Sequence, residues 1–100
     1  MLAILKEIKH DWLGVNLDSG NFHTPDPYAD LEKIAPYAVT CQLKAEMAPQ
    51  GQKKQPADYG RIVDIMKKAN YRGFITLEYE AAEDPVTAIP KHLDAIRKVL

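Results

Sequence analysis

Apolar positions along the chain switch between two spacings. Leu2, Ile4, Leu5 and Ile8 follow helical spacing and predict a helix over residues 2–9, ended by His10-Asp11. Leu13 to Asp18 alternates apolar and polar, as a strand does, and the turn-forming Ser19-Gly20-Asn21 closes it. Thr24-Pro25-Asp26-Pro27 opens a second helix, with Asp26 as its N-cap and Pro27 in the first helical position. Leu31, Ile34 and Ala35 give that helix its apolar face, and Pro36-Tyr37 close it. A second strand runs from Val39 to Met47, followed by a stretch from Ala48 to Pro56, rich in Gln, Lys, Pro and Gly, that reads as a mobile loop. Asp58 caps a third helix carrying Ile62, Ile65, Met66 and Ala69, which Asn70 and Gly73 stop. Phe74 to Glu80 is a third strand. Asp84-Pro85 begins a last helical region with Ile89, Leu93, Ile96, Val99 and Leu100. Pro90 predicts a short turn there and a restart of the helix near residue 90.

The order α-β-α-β-α-β-α predicts an α/β domain with a parallel sheet over residues 1–100. Right-handed crossovers running in one direction put every helix on one face of that sheet. Strand parity agrees, since residues two apart share a face. Val15 and Leu17, Val39, Cys41 and Leu43, and Ile75, Leu77 and Tyr79 make one apolar face. Asn16 and Asp18, Thr40, Gln42, Lys44 and Glu46, and Thr76, Glu78 and Glu80 make the opposite, polar face. A doubly wound sheet would be apolar on both faces. Helices on one side and polar groups gathered toward the C-terminal strand ends are what a (β/α)8 barrel presents from inside. The same alternation also fits a sheet with one merely solvated face.

Asp18, Gln42 and Glu78 are oxygen donors on neighbouring strands at matching depth and parity, a set that suits Mg²⁺ or Mn²⁺. Glu80 shares the face of Glu78 and rivals it as a ligand or serves as a rim carboxylate. Lys44 lies between carboxylates, to pair with Glu46 or Glu78 or to bind a substrate hydroxyl or phosphate. His23 sits in the loop after the first strand, where it would overhang the site. His10 and His92 read as surface residues, Trp12 as packing, and Cys41 as a core residue on the helix side.

Composition narrows this further. The chain has 46% hydrophobic and 27% charged residues and a net charge of −1, ordinary for a soluble globular protein and without a basic stripe for nucleic acid. It holds one cysteine, Cys41, which fits a reducing, cytoplasmic setting. No apolar run approaches the roughly 18 residues of a membrane span. The helix that starts at Met1 without a cap points to a piece of a larger protein.

Three stretches resemble the xylose isomerase-like sugar phosphate isomerases/epimerases. Leu13-Gly-Val-Asn-Leu-Asp-Ser-Gly-Asn-Phe-His23 resembles their sixth-strand region, Val39-Thr-Cys-Gln-Leu-Lys44 their seventh, and Tyr71-Arg-Gly-Phe-Ile-Thr-Leu-Glu-Tyr-Glu80 their eighth. The resemblance spans essentially the whole chain. It implies the C-terminal part of a TIM barrel and a divalent metal, commonly Mn²⁺, held by side chains from separate strands. Asp18 matches the sixth-strand ligand, and Glu78 matches the eighth-strand glutamate, which is also an acid/base carboxylate. Gln42 stands where the family usually has His, a weaker donor for most transition metals. His23 resembles a substrate-contacting histidine. The second catalytic glutamate belongs to an earlier strand than these.

The implied chemistry is proton transfer beside the carbonyl of a sugar or sugar phosphate, with the metal polarising the oxygens. Lacking that glutamate, the 100 residues by themselves are expected to be inactive. Two other readings stand beside this one. One is a non-catalytic fragment that forms a homo-oligomer through its open sheet edges. The other is a relative of the AP endonuclease repair proteins, disfavoured by the near-neutral charge.

Overall fold

The computed structural model describes residues 1–100. Its centre is a three-stranded parallel sheet of β1 (Val15–Asp18), β2 (Ala38–Lys44) and β5 (Ile75–Glu78), in the order β1-β2-β5. Strands adjacent in space therefore follow one another in the chain, with no reversal of direction. That is the winding of a barrel segment; a doubly wound sheet reverses.

Helices α1 (Leu2–Glu7), α2 (Pro27–Ile34), α3 (Tyr59–Lys68) and α4 (Pro85–Val99) all cover one face. Val15, Leu17, Cys41 and Leu43 from the sheet interdigitate with Leu31, Ile34, Ile62, Ile65, Met66 and Ile96. Each such side chain contributes about 1.5–3 kcal/mol by leaving water, which is what holds the helix layer down. Helix α1 ends two residues earlier than its spacing predicts, because Ile8 turns extended at φ −111°. Only Leu2 and Leu5 reach the core, too few contacts to hold a further turn.

Local chemistry sets the remaining boundaries. The Asp26 and Asp58 side chains accept from the N–H groups of Ala29 and Arg61, capping α2 and α3 as expected. Asp84, where the last helical region was expected to begin, caps α4 in the same way through Val86 N–H. At the end of α3, Asn70 takes φ 59° while its N–H donates to Lys67 O and that of Tyr71 to Met66 O. This is a Schellman closure with Asn in the left-handed position.

Four expectations change. The first is the apolar parity of β2. Val15 pairs with Ala38 and Asn16 with Thr40, so the register shifts around Val39. The bulge turns Val39 outward, 64% exposed, and gives its place on the core side to Ala38. The second is the loop after β2. Its ends pair as β3 (Glu46–Met47) and β4 (Gln55–Pro56), and Gln50 N donates to Thr24 O. The third is Pro90, which α4 carries without a break. The carbonyl that loses its partner belongs to Val86, which is 82% exposed and open to water. The fourth is β5, which is shorter at both ends than predicted; Phe74 precedes it, 91% exposed.

The polar face is covered by no second layer within these residues. Thr40 Oγ1 donates to Asn16 Oδ1 across it at 2.7 Å. No helix is long and apolar enough to cross a membrane.

Candidate functional site

The C-terminal ends of the three strands meet around Lys44. The last register pair of β1 and β2 is Asp18 with Gln42, after which β1 turns into a 3-10 turn over Ser19–Asn21. Lys44 N therefore has no strand partner on that side, and it donates instead to Ser19 Oγ at 2.9 Å. Ser19 is fully buried to do this. Asp18 caps the turn: Oδ1 accepts from Gly20 N and Oδ2 from Asn21 Nδ2, both at 3.1 Å. The Lys44 stem crosses directly over Gly20, where an added Cβ would fall 2.5 Å from Lys44 Cγ and 2.8 Å from its Cβ. Only glycine leaves room for that path.

The Lys44 ammonium ends among three carboxylates. Its Nζ lies 2.8 Å from Glu80, 3.2 Å from Glu78 and 3.7 Å from Asp18. Burial pulls the ammonium toward its neutral form, but the bonds to Glu80 and Glu78 and the charge of Asp18 outweigh it, and its pKa stands above the ordinary lysine value. Glu80 is held below the usual carboxylate range by its bond to Lys44. Glu78 gives Oε1 to Lys44, while its Oε2 is buried with no hydrogen-bond partner. Of the two pairings open for Lys44 in the sequence, the geometry takes Glu78 and not Glu46.

A cavity of about 210 Å³ opens beside this cluster, lined by Gly20, Asn21, His23, Lys44, Lys54 and Glu80 among others. His23 Nδ1 lies 3.1 Å from Ala48 O, and a carbonyl can only accept, so Nδ1 carries the proton. In the neutral ring Nε2 is then a free acceptor. His23 and Lys44 thus reach one cavity, and Asp18 and Glu78 join it through Lys44.

Gln42 does not. It pairs with Asp18 on one side and Thr76 on the other, whereas Glu78 pairs with Lys44. Parity matches across the three donors but the expected matching depth does not: Glu78 stands two residues beyond the level of Asp18 and Gln42. Gln42 lines a different cavity of about 470 Å³ with Asn16, Thr40, Thr76, Val39 and Phe74.

Residues outside the strand ends fall as follows. Cys41 is buried on the helix side, its thiol pushed up to about 11 by burial and then by the Asp18 charge, which suits a core residue. Trp12, expected to pack, is 92% exposed. His92, expected on the surface, is half-buried, 2.7 Å from the Tyr59 hydroxyl and beside the Tyr79 ring. Ser19 and Gly20 carry no chemical signal in the sequence beyond a turn; their roles exist only once β1 and β2 are paired.

Residues 1–99 match the family model described as xylose isomerase-like TIM barrel. The chain belongs to the xylose isomerase-like TIM barrel family. A comparison with curated proteins found no match.

Membership sets a test, because the family implies a divalent metal. The xylose isomerase-like donors here do not fit one. No group of three or more His, Cys, Asp or Glu is placed to hold an ion. Gln42 stands two residues of register away from Glu78, and the oxygens of Asp18, Glu78 and Glu80 converge on an ammonium.

Proposed function

We propose that this chain forms the C-terminal strand-end part of a sugar isomerase/epimerase site that works by proton transfer beside a sugar carbonyl. The observation that carries this is Glu78: a buried carboxylate oxygen without a partner, at a barrel strand end, whose other oxygen is paired with Lys44, which lines the cavity. Such an oxygen is a poised proton acceptor, since no hydrogen bond must be broken before it acts. In this reading Glu78 Oε2 takes the proton from the carbon next to the carbonyl, and the electron pair of that C–H bond moves to the carbonyl oxygen as an enediolate. A proton is then delivered to the opposite face by a carboxylic acid from an earlier strand, or to the neighbouring carbon by Glu78 itself. His23 Nε2 accepts from a sugar hydroxyl, and Lys44 positions Glu78. Carboxylates outnumber the ammonium at the centre, which favours a neutral sugar over a sugar phosphate. The second carboxylate of the acid/base pair would come from an earlier strand, so the 100 residues by themselves bind without turnover. The buried free thiol of Cys41 fits a cytoplasmic setting.

The test is an amide-resolved NMR titration with ketoses, aldoses and their phosphates, paired with a proton assay for solvent deuterium entering the sugar. We expect shifts at Asn21, His23 and Lys44 with the unphosphorylated sugars and no deuterium incorporation. An absence of shifts with every sugar would remove the carbohydrate reading. Steady incorporation by the pure monomer would overturn the inactivity of the isolated chain.

A second reading, a self-associating module, is favoured by a different observation. Both outer edges of the sheet, on β1 and β5, are unpaired, and Val39 and Phe74 stand exposed on one cavity at the opposite, N-terminal strand ends. The occupant proposed is a second copy of the chain.

A further inference from the structure

The carboxylates at the strand ends surround a cation that the chain itself provides. The path of Lys44 is constrained at two points. Its backbone N–H is held by Ser19 Oγ, and its stem passes over Gly20 in contact that no larger residue would permit. The side chain is 11% exposed, so its ammonium has little freedom to leave Asp18, Glu78 and Glu80. A divalent ion would need these same oxygens at about 2.0–2.6 Å. Held there, it would stand against an ammonium 2.8–3.7 Å from those same carboxylates, and like charges at that range repel. Gln42 cannot extend the donor set, being two residues below the level of Glu78.

We propose that Lys44 is the resident cation of this site, in the place a divalent metal takes in the family, and that it blocks metal from Asp18 and Glu78. This does not depend on the proton-transfer reading: it concerns which cation neutralises the carboxylates, whatever the site then binds. Lysine supplies one charge through a fixed stem, and it engages Glu78 Oε1 while leaving Oε2 free.

Manganese titration read by paramagnetic broadening of amide signals tests this without reference to activity. In the wild-type chain we expect broadening at Asp18, Glu78 and Glu80 no stronger than at the exposed carboxylates Glu32 and Asp64. Lys44→Met should bind Mn²⁺ about tenfold or more tighter, centred on Asp18 and Glu78, because three carboxylates then lack a counter-ion. Lys44→Arg should behave as wild type. Strong, saturable broadening centred on Asp18 and Glu78 in the wild type overturns the proposal. So does a folded Lys44→Met chain with no gain. If Lys44→Met does not fold, the wild-type titration decides alone.

Discussion

At the residue scale, Ser19 shows how a site can rest on a side chain with no chemistry of its own. It accepts the Lys44 N–H, which lies beyond the end of the β1 pairing. Ser19→Ala would leave that buried donor unpaired, and we expect a loss of about 1–3 kcal/mol in urea unfolding. Lys44 and Glu80 set a pH window. Glu80 has a lowered pKa, so its contribution is present above the ordinary 4.5 and disappears as pH falls below it. Lys44 has a raised pKa, so its contribution is present below the ordinary 10.5 and disappears above it. Cys41 brings the alkaline limit lower. Its thiol ionises near 9.0 when unfolded and near 11 when folded, so unfolding gains roughly 3 kcal/mol between those values. Stability plotted against pH should be flat between about 5 and 9 and fall on both sides. Cys41→Ala should flatten the limb between 9 and 10 specifically, since above 10 Tyr59, Tyr71 and then Lys44 also lower stability. The carboxylates and Lys44 were readable in the sequence as one polar face. That Lys44 would pair among them was also expected; which carboxylates it meets was not readable, because that depends on the register of β2 against β5.

At the scale of elements, caps and stops were legible and continuity was not. Asp26, Asp58 and Asp84 act on residues two or three along, so sequence distance equals spatial distance. Pro90 is the counter-example. It is a local breaker, yet α4 continues, because Ala88 and Ile96 are buried on the layer beneath while the freed Val86 carbonyl faces water. Pro90→Ala should therefore stabilise the protein by about 1–3 kcal/mol, seen as a higher melting temperature, since the helical N–H returns without disturbing the buried face. Asn70 supplies a matching check. Replacing it with Ala places a Cβ without polar compensation at φ 59°, and we expect a loss of about 1 kcal/mol, with Asn70→Gly near neutral.

At the scale of the whole molecule, three strands leave two edges and one uncovered sheet face. Burial reaches only 18 of 100 residues, while Trp12 and Phe74 are more than nine-tenths exposed. Apolar surface in that arrangement seeks cover. Sedimentation velocity should show a concentration-dependent rise in mass, weakened in a Phe74→Asp variant that keeps its circular dichroism. A single monomer boundary across a hundredfold concentration range would count against the self-association reading.

The alternation of strands and helices, the helix caps and the two-faced strands follow from the sequence alone, because each depends on residues a few positions apart. One face apolar and one polar is enough to place helices on a single side and to reach a barrel segment. The tertiary structure decided what lies beside what. The bulge at Val39 reset the parity of β2, and the register of β2 against β5 set Glu78 opposite Lys44, away from Gln42. The turn after Asp18 then brought Ser19 and Gly20 under the lysine. Each of these is a contact between segments more than twenty residues apart, fixed by packing of the whole sheet. That is why the sequence presented a metal ligand set, and the fold presents a lysine among carboxylates.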